Sequence, residues 1–200
     1  MQVPTYAYAL LAVAWLLWMA PFFLAQRRRG PRAVTVDSRA RWGMLLQGIA
    51  YALLWQSQFW LHPPEAWRQA LAVLFSALAI TLSWSSVRTL GRQWRVDAGL
   101  NADHQLVRSG PYSLVRHPIY SSMLCQLLST GFLLTPLPLL ALATVIFIGG
   151  TEIRVHPEEK LLASRFGEEF LTYRGTVAAY IPLIGNGPSG RKGKEKGTKS

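Results

Sequence analysis

PIYSSMLCQLLSTGFLLTPLPLLALATVIFIGGT, residues 118–151, carries no charged side chain. As a single helix it would run to roughly 50 Å at 1.5 Å per residue, against a hydrocarbon core of about 30 Å. It has to fold back. Thr135-Pro-Leu-Pro138 supplies the break, because two prolines remove backbone donors and clash with the preceding turn. The stretch therefore reads as a tight hairpin of two short spans. Three further charge-free runs, Met1 to Gln26, Trp42 to Leu61 and Gln69 to Val87, are each long enough for one membrane helix. Half of the 200 residues are hydrophobic, and the mean hydropathy is positive. The expected fold is an all-α membrane protein of about five transmembrane helices.

Basic residues set the expected orientation. Six lie between spans 1 and 2, five between spans 3 and 4 and nine after span 5, whereas Arg68 alone falls between spans 2 and 3. By the positive-inside rule the amino terminus is outside and the carboxyl terminus in the cytoplasm. Positive charge follows the first apolar run instead of preceding it, so that run reads as a retained anchor and not a cleavable signal. The net charge of +11 is scattered over membrane-proximal loops with no aromatic-basic ladder, which argues against nucleic acid and for anionic headgroups. The single cysteine, Cys125, excludes an internal disulfide and a thiolate zinc site, and no metal site is expected.

Three regions follow along the chain: transmembrane helices 1 to 3 over 1–89, a connector, helical hairpin and C-terminal helix over 90–184, and a basic, disordered tail over 185–200. The loop Arg27 to Arg41 reads as an orientation signal. The connector Leu90 to Arg116 is longer than most loops, with turns at Asp97-Ala-Gly99 and Asn101-Ala-Asp103 and with Trp94, Val96, Leu106 and Val107 as interface anchors. After span 5, Pro157 suits a first helical position and Glu158 and Glu159 favour the positive end of a helix dipole. A cytoplasmic amphipathic helix is expected to begin there, with Leu162, Phe166, Phe170 and Tyr173 on one face.

If spans 4 and 5 form a hairpin, their cytoplasmic ends are neighbours. Arg116 and His117 open span 4, Arg154 closes span 5, and Glu158 and Glu159 start the next helix. Singly, each has an ordinary explanation: a snorkelling anchor, a helix start, a surface ion pair worth at most about 1 kcal/mol. Together they place both carboxylates and both arginines at one hairpin mouth, beside an aromatic-rich connector.

GPYxxxRHPxY at 110–120, Gly131, the proline-broken hairpin, Arg154, EExxL at 158–162, Phe166-Gly167 and Tyr173 resemble the isoprenylcysteine carboxyl methyltransferase family. They also resemble the membrane phospholipid methyltransferases of similar architecture. The match runs from about Leu90 to Pro182. The resemblance implies an S-adenosylmethionine pocket formed by the connector, the RHPxY turn and the carboxy-terminal helix, open to the cytoplasm and reached by lipid substrate from the bilayer. It implies Tyr112, Arg116, His117, Pro118 and Tyr120 at the cofactor, Glu159 with Glu158 at its amino acid end, and Arg154 near the transferred methyl. Two positions depart from the family: Ser122 replaces a common glycine, and Ser83-Trp-Ser-Ser-Val87 lacks an acidic residue found in the eukaryotic enzymes.

A sulfonium methyl is already activated, so the protein needs only to align a nucleophile and exclude water. A carboxylate needs no base, and Arg154 could hold one through paired hydrogen bonds. An amine would need a base, for which His117 or Glu159 are the near candidates. The expected activity is methyl transfer to a lipidic or prenylated carboxylate at a prokaryotic cytoplasmic membrane. The alternatives are a phospholipid amine N-methyltransferase, an NADPH-dependent lipid reductase, for which no glycine-rich phosphate loop is present, and a non-enzymatic membrane scaffold.

Overall fold

The computed structural model describes residues 5–26, 40–55, 64–91 and 105–182, and the regular structure among them is helical. In chain order it contains α1 (Thr5–Gln26), α2 (Ala40–Leu53), α3 (Ala66–Leu90), a 3-10 turn (Gly110–Ser113), α4 (Pro118–Leu134), α5 (Leu137–Phe166) and α6 (Glu168–Thr176). An isolated parallel bridge joins Val115 to Ala178. By length and composition α1, α3 and α5 can cross a membrane. The helix α4 is apolar but spans only 17 residues, and α2 spans 14. The connector turns at 97–103, the anchors Trp94 and Val96, the loop 27–39 and the tail from 185 lie outside the described residues.

The hairpin forms where the prolines require it. His117 precedes α4, with Pro118 in the first turn; the helix stops at Leu134, and α5 resumes at Leu137 with Pro138 in its own first turn. Gly131 lets the two limbs close, since a Cβ there would sit 2.2 Å from Leu140 Cδ1. Arg68, in the first turn of α3, donates to the carbonyl oxygens of Phe132 (2.8 Å), Gly131 (3.3 Å) and Thr135. A cation thus meets the negative end of the α4 dipole and the carbonyls that helix leaves open.

Small and hydroxylated side chains bring the helices together, as expected where hydrocarbon gives no hydrophobic drive for association. Ser129 on α4 meets Ser76 on α3 at 2.6 Å and donates to the Ala72 carbonyl at 2.9 Å. Trp15 and Trp18 on α1 donate to Thr130 (3.1 Å) and Ser122 (3.3 Å) on α4. Ser122, the family's glycine position, is thus fully buried and faces α1. α2 crosses α5 at a pair of glycines: a Cβ on Gly43 would lie 2.5 Å from the Gly150 carbonyl oxygen, and one on Gly150 would lie 2.8 Å from that of Gly43. Ala50, Leu54, Leu127, Leu140, Ala143 and Phe147 fill the space between these two helices and α4.

One expectation is corrected. No helix begins at Pro157; the proline lies inside α5, which continues unbroken for 30 residues. At 1.5 Å per residue α5 is about 45 Å long, so it outruns a hydrocarbon core by about ten residues. The break comes instead at Gly167, whose φ of +53° suits a residue without Cβ. The expected apolar face is therefore divided between two helices: Phe170 and Tyr173 on α6 are buried, while Leu162 and Phe166 at the end of α5 are half-buried.

Candidate active site

Every candidate residue named from the sequence falls at the hairpin mouth, on α4, on α5 or on the 3-10 turn just before them. The approach to α4 is held by backbone pairing: the N–H groups of Arg116 and His117 donate to the carbonyls of Ala178 and Ala179, each at 2.8 Å. Residues 177–182 thus form a strap along that approach, fastened further by Ser121, which donates to the Tyr180 carbonyl at 2.5 Å, and by the Tyr180 hydroxyl on Glu152.

Glu159 is the hub of the polar cluster. Its Oε1 accepts from Arg116 Nε (2.9 Å) and Nη2 (2.7 Å) and lies 3.3 Å from His117 Nε2. Its Oε2 pairs with Arg174 Nε at 3.2 Å. Arg116 reaches further, donating through Nη1 to the carbonyls of Arg174 (3.0 Å) and Val177. One buried ion pair thereby joins the start of α4, the end of α5, α6 and the strap. Pairing of this density offsets the cost of burying charge, which is several kcal/mol per ion.

Glu158 is placed differently. It is the more open of the two carboxylates, with about a third of its side chain exposed. Its Oε2 accepts the Tyr120 hydroxyl at 3.2 Å and lies 3.8 Å from His117 Nδ1. Tyr112 is buried behind it, its carbonyl accepting the Tyr173 hydroxyl at 2.5 Å. Burial, and then the nearby Glu158 carboxylate, push the Tyr112 phenol well above its usual range. The Tyr173 phenol is pushed up to about 12, mainly by burial. Both phenols are therefore neutral hydrogen-bonding groups at any physiological pH. Pro118 is fully buried and acts in packing and helix initiation.

Arg154 is buried on the α2 side of the mouth. Its guanidinium carbon stands 5.0 Å from the centre of the Tyr120 ring, and Nη1 donates to Gln47 Oε1 at 2.9 Å. Gln47 is itself fixed by Thr151, to which its amide donates at 2.9 Å. Sequence reasoning missed Gln47 and Arg174. Gln47 shares its charge-free run with Gln56 and Gln58, and nothing in their spacing along the chain sets it apart.

The donor set suits a cationic sulfur compound. An accessible carboxylate at Glu158, the Tyr120 ring and neutral buried phenols are groups that hold ammonium and sulfonium charge. Residues 71–164 match the model of the isoprenylcysteine carboxyl methyltransferase (ICMT) family. The likeness to that family covers just under half of the chain. The matched segment contains α4, nearly all of α5 and every sequence-predicted site residue.

Similar chains include the protein-S-isoprenylcysteine O-methyltransferases of Schizosaccharomyces pombe and Saccharomyces cerevisiae. The first is 33% identical over 118 residues, 58% of this chain and 50% of that protein. The second is 36% identical over 84 residues, 42% of this chain and 35% of that protein. The cobalt-zinc-cadmium resistance protein CzcN of Cupriavidus metallidurans is 28% identical over 144 residues, 72% of this chain and 62% of that one. The match thus covers less than two thirds of each of these relatives. ICMT-family sequence accounts for the helical hairpin and its polar mouth, whereas α1, α2 and the strap lie outside the matched segment.

Proposed function

We propose that this protein is a membrane methyltransferase that uses S-adenosylmethionine to esterify the carboxylate of a lipidic acceptor of the isoprenylcysteine kind. The observation that carries this reading is Arg154, a buried guanidinium held by Gln47 and stacked on Tyr120, beside the open carboxylate of Glu158. When bound, the cofactor supplies a methyl carbon already activated by its sulfonium. Glu158 receives the cofactor's ammonium, with Tyr120 and Tyr112 lining its seat. Arg154 holds the acceptor carboxylate through paired hydrogen bonds, so alignment replaces acid-base catalysis. Glu159 and Arg116 keep α4, α5 and α6 in register around both groups.

The arrangement favours a carboxylate over an amine. An amine acceptor needs a base, yet the His117 nitrogens both face carboxylates and Glu159 is engaged by two guanidinium groups. In this reading the chain crosses the bilayer five times, amino terminus outside, and the mouth opens to the cytoplasm, where the aqueous cofactor can reach it. The prenyl chain enters laterally between helices.

The test is transfer of radiolabelled methyl into a total lipid and protein extract, followed by base treatment. An ester releases the label as volatile methanol; label that resists base identifies an amine acceptor and overturns the carboxylate reading. Arg154→Ala should reduce transfer by about 100-fold or more while cofactor affinity changes little, the pattern of a group that aligns the acceptor alone.

A further inference from the structure

We propose that the interface of α1, α3 and α4 is a binding site for water, held at Gln126 inside the helical bundle. The site lies on the face of α4 turned away from α5 and stands independently of the function proposed above.

Gln126 is fully buried, and neither its amide nitrogen nor its amide oxygen has a hydrogen-bond partner among the described residues. An amide carries two donors and two acceptor sites, and burying them all unbonded costs free energy. Its surroundings are polar. At helical spacing Ser122, Ser129 and Thr130 lie one turn before and after it on the same face of α4. That face meets Trp15 and Trp18 of α1 and Ser76 of α3. On the buried face of α3, Ser86 is likewise fully buried with an unbonded hydroxyl.

The inventory of protons identifies the ligand. Ser122 donates to the Ile119 carbonyl at 2.8 Å, Thr130 to that of Gln126 itself at 2.9 Å, and Ser129 to that of Ala72 at 2.9 Å. Because the Ser129 proton is committed, Ser76 is the donor in the 2.6 Å contact between the two serines. The indole N–H groups of Trp15 and Trp18 go to Thr130 and Ser122. None of these side chains retains a proton for Gln126 Oε1, whereas their hydroxyl oxygens keep lone pairs. The interface is short of donors and rich in acceptors. Water supplies two O–H groups in a small neutral molecule: one bonds Oε1, the other bonds a hydroxyl oxygen, and a water oxygen receives the amide N–H. The opposite face of α4 packs on α5 through Leu127 and Gly131, both against Leu140. Buried water is thereby kept apart from Arg154 and Glu158, where it would compete with the acceptor for the methyl group.

The experiment is pulsed X-ray radiolysis of the full-length protein in isotopically labelled water, with wild type beside Gln126→Leu. Hydroxyl radicals formed from an internal water oxidise the side chains that touch it, and mass spectrometry reads the incorporated oxygen. Trp18 is the reporter, because it is 5% exposed and bulk radicals reach it poorly; Phe147, 1% exposed in the core between α2, α4 and α5, is the dry reference. Corrected for intrinsic reactivity, wild-type Trp18 should label several-fold faster than Phe147, and Gln126→Leu should lose that excess. The variant should gain nothing in melting temperature, since it gives up bonds to water and not an unbonded amide. Wild type should melt alike in sodium, potassium and choline chloride. Wild-type Trp18 as unreactive as Phe147 overturns the proposal, and that comparison holds even where the variant does not fold. So does equal Trp18 labelling in both proteins, or a rise in melting temperature in Gln126→Leu. Stabilisation by sodium or potassium that Gln126→Leu abolishes identifies a cation in place of water and overturns it as well.

Discussion

Two adjacent carboxylates at the end of α5 have been given different work by their surroundings. Glu159 faces two guanidinium groups and an imidazole, whereas Glu158 meets a phenol and the open rim. The two should therefore separate under mutation. Glu159→Ala leaves Arg116 buried without its partner and should cost about 3–5 kcal/mol of stability, seen as a large fall in melting temperature. Glu158→Gln should leave melting nearly unchanged and weaken the cofactor by about tenfold, measured by calorimetry. The reverse pattern would exchange their assignments. At this scale the sequence was informative, because the motif residues on α4 and α5 are local and their types announce charge in an apolar setting. Gln47 and Arg174 were not legible in that way: each acquires meaning only from a helix packed against it, which spacing along the chain does not reveal.

At the scale of elements, the hairpin could be read from Thr135-Pro-Leu-Pro138 because proline acts on its own backbone, whatever the tertiary context. Pro157 misled for a related reason. Proline favours a first helical turn, but a helix already running for 20 residues can carry one where its end projects beyond the hydrocarbon and freed carbonyls find other partners. Gly167, with its positive φ, was the stronger stop signal. The α2–α5 crossing depends on two missing side chains. Gly43→Ala would place a methyl 2.5 Å from a backbone oxygen and from the Arg154 stem, neither of which can yield cheaply. We expect overpacking of about 1–3 kcal/mol and a loss of turnover exceeding the loss of cofactor binding. Gly48→Ala, with open space at that position, is the control and should be silent in both measurements.

For the whole molecule, charge distribution and helix lengths have to be reconciled. Three of the described helices are long enough to span by themselves, and the five-crossing topology proposed above adds the shorter α2 and α4. Single cysteines introduced into a Cys125→Ala background test it. Labelling by an impermeant maleimide from outside is expected near residues 2 and 62 and, with permeabilised membranes only, near residues 35 and 185. Protection of position 62 from the outside reagent would remove the positive-inside argument. The expected orientation rests on the distribution of basic residues between the apolar runs. How α1, α3 and α4 interlock through Trp15, Trp18, Ser76 and Ser129 was not readable, because hydroxyl and indole contacts in lipid leave no periodic trace.

The strap of residues 177–182 also bears on biosynthesis. The amide hydrogens at 116 and 117 wait for carbonyls at 178 and 179, which leave the ribosome well after the hairpin has been inserted. A nascent chain therefore threads its apolar segments into the bilayer first and seals the mouth last. Partly made copies would lack the backbone pairing that fastens residues 116 and 117.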